Sequence, residues 1–154
     1  MDPREEMLEL ERLERESGHS SELTRRRSRW GEEIRNAVIR PLKNRRPEAI
    51  EDAILFLEVS PRYFRSGYHK ASIASKLKGS PLSDDQRRRL RDVILNALDS
   101  TRIGPEFREY ARLAIVVFDA KFLDDVTARM QTDRSWVRAR CARVLTLCLQ
   151  HRRI

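Results

Sequence analysis

Apolar residues recur along this chain at intervals of three and four positions, a spacing that predicts helices. Clear runs of this kind cover residues 47–58, 67–78, 84–99, 105–118, 119–131 and 134–150. Thinner apolar stripes predict two earlier helices, over residues 3–17 and 29–43. No segment alternates apolar and polar residues over a useful length, so the fold class is predicted to be all-α.

Residues that start or end helices stand between these runs. Pro47 suits a first helical position, because its missing N–H costs nothing there. Ser83 and Gln86 have the spacing of a capping box, in which each side chain accepts a bond from the backbone N–H of the other. Pro41 is expected to bend or end the second helix. The polar stretch 17–28 is expected to be a linker.

Three of the predicted helices share a short motif. The stretches ASIASKL (71–77), ARLAIVV (111–117) and ARCARVL (139–145) all have alanine at the first and fourth positions and an apolar residue at the third and seventh. Each motif helix follows another amphipathic helix, and its small alanines allow a neighbouring helix to approach closely. We therefore expect three antiparallel helix pairs stacked side by side, since one pair cannot cover its own apolar face.

The last helix carries the fullest pattern. It includes Asp133, Val137, Arg138, Cys141, Ala142, Leu145 and Thr146. This pattern resembles the second helix of HEAT-like repeats, although Cys141 and Thr146 are larger than the residues usual in that family. The resemblance covers about residues 47–150. It implies a right-handed α-solenoid of about three helix pairs, with one or two extra helices before it. It also implies a concave surface that binds proteins or nucleic acids, and most members of such families are not enzymes.

Charge is distributed unevenly along the 154 residues, whose formal net charge is +8. Residues 1–22 carry three Arg against eight acids, giving −5, and residues 23–46 carry nine Lys or Arg against two acids, giving +7. Residues 134–154 carry six Arg and no acid, giving +6. We therefore divide the chain into an acidic segment (1–22) that is helical or partly disordered, a basic linker and helix (23–46), and a HEAT-like repeat domain (47–154).

No motif of a catalytic, cofactor or metal site occurs in the sequence. A phosphate-binding glycine loop, a nucleophile elbow and a paired-histidine helix are all missing, so we predict no catalytic residue and no cofactor. An enzyme site assembled from distant residues stays open as a third hypothesis. Cys148 and His151 stand three residues apart without a companion pair, so no metal is predicted either.

Cys141 and Cys148 lie on one apolar arc of the last helix. Their Cα atoms would be about 10.5 Å apart, too far for a disulfide, so both are predicted to be reduced thiols packed in the core. Reduced thiols favour a cytoplasmic location. The lack of a long apolar run and of a signal-peptide pattern favours the same location, without membrane contact.

The inner helices 67–78, 106–118 and 134–150 supply the candidate contact residues. These are positions assigned to the surface: Tyr68, His69, Lys70, Arg108, Glu109, Arg112, Trp136, Arg140 and Arg143. The preferred interpretation is a protein-interaction or scaffold module without catalysis. The acidic segment 1–22 is expected to dock on the basic body of its own chain or on a partner, which includes self-association.

The alternative hypothesis is a nucleic-acid-binding module that uses the basic regions 23–46 and 134–154. Arg140 and Arg143 are expected on the solvated side of the last helix with Trp136. There the arginines would contact phosphates and the ring would stack on a base. Arg138 falls on the apolar arc and is expected to be paired, with Asp133 or with a residue of a neighbouring repeat. Finding Arg140 and Arg143 on different faces would count against this hypothesis.

Overall fold

The computed structural model describes residues 31–62 and 65–152, together with Glu5, Leu8, Glu9 and Arg12. These residues form helices and connecting turns without a β-strand, so the all-α prediction is confirmed for the described part of the chain. The helix predicted over 3–17 and the linker over 17–28 lie outside the described residues, apart from the four named. The predicted docking or self-association of segment 1–22 also lies outside the described residues.

Seven helices occur in the described residues, and we label them in chain order. The first, α1, covers residues 31–43 and contains a π-helical turn, Arg35–Ile39, followed by α-helical Arg40–Lys43. The others are α2 (Pro47–Val59), α3 (Ser66–Leu77), α4 (Asp84–Asp99), α5 (Glu106–Val117), α6 (Ala120–Ala128) and α7 (Ser135–Arg152). A 3₁₀ turn, Arg129–Gln131, follows α6. From Pro47 onward, each predicted run matches a helix to within about two residues, with the 3₁₀ turn counted in α6.

Side-chain caps fix two of these helix starts. The Ser83 hydroxyl accepts a bond from the backbone N–H of Gln86 at 3.2 Å, and the Gln86 side chain accepts one from the N–H of Ser83 at 2.9 Å. This is the predicted capping box of α4. The Asp119 carboxylate accepts a bond from the N–H of Phe122 at 2.7 Å and caps α6 in the same way.

Pro41 interrupts the regular α-helical hydrogen bonding of α1 but does not end the helix. Proline has no N–H to donate, so the regular helical bond cannot form at that position. The turn before Pro41 is a wider π turn, in which the N–H of Arg40 donates to the carbonyl of Arg35. The helix then continues to Lys43.

The helices pack in two layers. The first layer contains α2, α4 and α6, with contacts from α2 to α4 and from α4 to α6. The second layer contains α3, α5 and α7, with contacts from α3 to α5 and from α5 to α7. Each helix of the first layer also contacts the helix that follows it in sequence, and α1 packs against α2 and α3. This arrangement brings the three motif helices side by side.

An apolar core runs between the two layers. Its largest fully buried side chains are Phe56, Phe122, Ile34, Leu42, Ile50, Ile54, Leu57, Ile73 and Leu77. Burying each such side chain contributes about 1.5–3 kcal/mol relative to leaving it exposed. The alanines of the repeated motif share in this core in α3 and α5, where Ala74 and Ala114 are fully buried.

Candidate anion-binding cleft

A polar cleft lies at the turns that connect α2 to α3 and α4 to α5. Its volume is about 610 Å³, and it is lined by the turn after α2, the turn after α4, and the first residues of α3 and α5. The turn after α2 supplies Ser60, Arg62 and Arg65, and the turn after α4 supplies residues 100–105. We call this site the basic cleft.

The lining of the basic cleft is strongly cationic. Its charged side chains are Arg62, Arg65, Lys70, Arg102 and Arg140, with Glu106 as the single carboxylate. Arg62 and Arg102 are exposed, and neither side chain has a hydrogen bond or ion pair with another residue that the structure describes. The N-termini of α3 and α5 add partial positive charge, because both helices begin in the lining. The site is therefore suited to a negatively charged group.

Glu106 is a buried carboxylate, 7% exposed, between the two turns. Its Oε2 atom accepts a hydrogen bond from the backbone N–H of Gly104 at 3.1 Å. The same oxygen would lie 2.7 Å from a Cβ atom placed on Gly67, the second residue of α3. The carboxylate thus sits at the positive end of α3, where a negative charge is favoured. Only glycine at position 67 leaves room for this contact.

Lys70 corrects a prediction, because it was assigned to the surface and is only 4% exposed. It stands three and seven residues before Ile73 and Leu77, both fully buried, and this spacing puts all three on one side of α3. Tyr110 has the same spacing to Leu113 and Val117 in α5. Lys70 therefore contributes a buried positive charge to the wall of the basic cleft.

A second cleft of about 430 Å³ adjoins the first and shares Ser60 and Ser100 with it. The second cleft lies between α2 and α4, and Tyr110 of α5 contributes to its lining. Tyr110 is 3% exposed, and its buried hydroxyl has no hydrogen-bond partner among the residues that the structure describes. Burial and the nearby charge of Glu106 raise the pKa of Tyr110, so the hydroxyl is neutral near pH 7.

Arg140 corrects a second prediction, because it does not lie on the solvated side of α7. Its Nη1 atom donates to the carbonyls of Ser100 at 2.5 Å, Leu98 at 3.2 Å and Ala97 at 3.3 Å. These carbonyls are at the C-terminal end of α4, where, in the described chain, only that of Ala97 also accepts a bond from a backbone N–H, that of Ser100 at 3.3 Å. Burial lowers the pKa of Arg140. Arg143 is exposed, whereas Arg140 is half-buried and bonded to these carbonyls, so the two arginines do not form the solvated pair that the nucleic-acid hypothesis expected.

Trp136 is half-buried and already engaged by two cations. The guanidinium groups of Arg134 and Arg140 lie 5.1 Å and 4.8 Å from the ring centre. These are cation–π distances. Within the described chain, Arg138 does not bond Asp133 or a residue of a neighbouring repeat as expected; its Nη1 atom donates to the carbonyl of Thr132 at 2.8 Å. The cations around α7 therefore serve largely to hold the helix in place.

Tyr68 and Arg108 lie on the surface as predicted, and Tyr68 is 66% exposed. Glu109 is half-buried and pairs with Lys78 and Arg112, each at 2.9 Å. Burial acts to raise the pKa of Glu109, but these two partners outweigh it and hold the pKa below its ordinary value. The Glu109–Lys78 pair therefore links α5 to the end of α3, whereas the Glu109–Arg112 pair lies within α5.

His69 is half-buried near the start of α3. Burial lowers its pKa, and the positive charges of Arg35 and Arg65 lower it further. The imidazole is therefore neutral at pH 7. His69 does not line either cleft.

Cys141 and Cys148 are free and fully buried, so the prediction that both pack in the core is confirmed. Burial raises the pKa of both thiols, and that of Cys148 reaches about 11. Both are therefore protonated at neutral pH, and a protonated thiol is a poor nucleophile. Within the described ranges, no three His, Cys, Asp or Glu residues are grouped so that they could hold a metal ion. No helix in that part of the chain has both the length and the apolar character needed to cross a membrane.

The residues of the basic cleft that the sequence did not predict include Arg62, Arg65, Arg102, Glu106 and Gly67. A signal for two of them was present. Arg62 and Arg102 each stand two residues after a serine and are forty positions apart, the same offset that separates the first two copies of the alanine motif. The repeat therefore extends into the turns of the first two helix pairs, where it places one arginine in each turn.

Comparison with protein families, with characterised proteins and with solved structures found no match to this chain.

Proposed function

We propose that this chain is a non-enzymatic binding module built as a HEAT-like α-solenoid, and that its basic cleft holds an acidic segment of a partner protein. The solenoid part of the proposal is supported by the two layers of helices, with α3, α5 and α7 side by side. A cytoplasmic location belongs to the same proposal. It is supported by two free, buried thiols on one helix.

The observation that carries the binding function is the charge of the basic cleft, in which five cationic side chains face one carboxylate. Arg62 and Arg102 are exposed and have no pairing partner among the described residues. A guanidinium group offers two parallel N–H donors that match a carboxylate. These two arginines are therefore available to pair with acidic side chains of a partner protein.

Binding fits the cleft better than catalysis does. Glu106, its single carboxylate, is committed to the N–H of Gly104 and packs against Gly67. The half-buried His69 lies outside the lining, and both thiols are buried in α7. The described side chains of the cleft therefore offer cations and hydroxyl groups, but no imidazole, thiol or second carboxylate that could activate a hydroxyl group as a nucleophile.

The test is the binding of a fluorescent peptide of ten glutamates to the full chain, measured by anisotropy at low salt. We expect the double variant Arg62→Glu with Arg102→Glu to weaken binding about ten-fold or more, because two favourable pairs become two repulsions. The matched control is Arg46→Glu with Arg143→Glu, which changes the net charge equally at exposed sites outside the cleft. Equal losses in the two double variants would reject the proposal, since binding would then depend on net charge alone.

Nucleic-acid binding is the second candidate, and the exposed Arg143 and Arg152 on α7 favour it. Its support is reduced because Arg140 and Trp136 are engaged within the protein. The same anisotropy assay with a single-stranded DNA oligonucleotide separates the candidates. If this function is correct, Arg143→Glu weakens DNA binding, and affinity falls steeply as salt is raised.

A further inference from the structure

We infer that the two adjoining clefts form one groove with opposite charges at its ends, and that it accepts an extended peptide with an acidic side chain at one end and a basic side chain at the other. This inference rests on the proposed function, because it names the kind of acidic segment that is bound. The two clefts share Ser60 and Ser100, so they meet at the C-terminal ends of α2 and α4.

The second cleft has the opposite charge to the first. Its charged lining residues are Glu58, Asp92 and Arg89, and we call it the acidic cleft. Arg89 is held between two carboxylates: it bonds Glu51 at 2.7 Å and also pairs with Glu58. Its single positive charge is therefore more than compensated. Asp92 adds a further carboxylate. Its side chain is 61% exposed, and its ion pair with Arg88 is long, at 3.4 Å.

The groove also carries polar groups suited to a peptide backbone. Asn96 is exposed on α4 and lines the acidic cleft. An asparagine amide donates and accepts hydrogen bonds, as a peptide bond does. Ser60 lies where the two clefts meet, in a left-handed conformation with φ of 50°, and its N–H closes the end of α2 on the carbonyl of Phe56. The C-terminal end of α2 therefore forms part of the junction between the two clefts.

Opposite charges in one groove discriminate among partners. A polyanion such as a nucleic acid is attracted by the basic cleft and repelled by the acidic cleft, and a polycation meets the reverse. A peptide that carries both signs in the right order pairs at both ends, and this is how complementary charge gives specificity more than raw affinity. The groove therefore selects order of charge as well as composition.

The test uses three seven-residue peptides of identical composition, Glu-Glu-Ala-Ala-Ala-Lys-Lys, its reverse, and an alternating-charge arrangement, titrated into the full chain. We expect one of the two ordered peptides to bind at least about three-fold more tightly than the alternating one. Asp92→Asn should weaken that peptide by about two- to five-fold, since the lost pair is largely exposed. The matched control is Asp124→Asn, an exposed acid of α6 outside both clefts, which should change nothing.

Two outcomes overturn the inference: equal binding of all three peptides, or equal effects of Asp92→Asn and Asp124→Asn. Binding of the ten-glutamate peptide distinguishes this failure from failure of the proposed function. If that binding still depends on Arg62 and Arg102 while charge order has no effect, the proposed function stands and the inference alone is wrong. If it does not depend on those arginines, the proposed function itself is wrong.

Discussion

α5 and α7 carry the same alanine motif, but the protein buries the two copies differently. In α5, Ala111 and Ala114 are fully buried. In α7, the matching Ala139 and Ala142 are exposed. α5 has α3 on one side and α7 on the other, whereas α7 has a second-layer neighbour on one side only within the described chain. The alanines of the motif therefore allow a close helix contact, and this contact forms only where another helix lies beside them.

The other side of the two helices shows no such difference. Leu113 of α5 and Cys141 of α7 occupy the same position in the motif, and both are fully buried. The exposed side of α7 carries Arg143, Thr146 and Gln150 together with Leu149, which is 46% exposed. The pattern thus fixes one face of each helix, and the last helix adapts the other face to solvent.

The largest expected effect tests the alanines directly. Ala114→Arg would place an unpaired charge in the fully buried contact of α5, and we expect it to lower the free energy of unfolding by about 3–5 kcal/mol. Ala142→Arg changes an exposed position of α7 and should cost less than about 0.5 kcal/mol. Urea unfolding followed by circular dichroism measures both. Similar losses in the two variants would mean that the outer side of α7 is covered in solution.

The second prediction tests whether the buried side of α7 excludes water as completely as that of α5. Burial raises the pKa of the Cys148 thiol from 9.0 to about 11, so the folded state holds its proton more tightly than the unfolded state. The resulting stability is fully present below about pH 9 and is lost as the pH rises toward 11, by about 2–3 kcal/mol. Urea unfolding between pH 8 and pH 11 should show a smaller loss for Cys148→Ala. Identical pH dependence in both proteins would contradict a buried thiol.

The sequence predicted the helices well because their signals are local. Pro47 and the Ser83–Gln86 capping box mark helix starts within one turn of chain, and the spacing of apolar residues marks the buried faces. The third motif showed the limit of this reasoning. Ala142 has the same local sequence pattern as Ala114, and its exposure depends on which helices stand beside α7. That information is not contained in the seven residues of the motif.

The site was predicted less well, because charge was taken as a sign of exposure. Lys70 has the spacing of a core residue relative to Ile73, and Arg140 stands three residues after Val137 and four before Val144, both fully buried. These spacings place both cations at the edge of the core, where long side chains can reach inward. The basic cleft itself joins two turns forty residues apart, and only the packing of α3 on α5 brings them together.

The third prediction separates the two arginines of α7. Arg140→Met removes a donor from carbonyls at the end of α4 and should lower the free energy of unfolding by about 1–2 kcal/mol. Arg143→Met is the matched control, because the same change at an exposed site should cost less than about 0.5 kcal/mol. Thermal and urea unfolding of the two variants give the comparison. Equal stabilities would show that Arg140 does not bind those carbonyls in solution.

The smallest expected effect compares Tyr110 of α5 with the residue at the matching position of α7, Arg138. Arg138 donates to the carbonyl of Thr132 at 2.8 Å, whereas the Tyr110 hydroxyl is buried and has no partner in the described part of the chain. Burying an unpaired polar group is unfavourable, so Tyr110→Phe should raise the free energy of unfolding by about 0.5–1 kcal/mol. Tyr68→Phe, at a position that is 66% exposed, is the control and should leave stability unchanged. A loss of 1 kcal/mol or more in Tyr110→Phe would instead mean that the hydroxyl has a partner in solution, and α5 and α7 would then both satisfy this position.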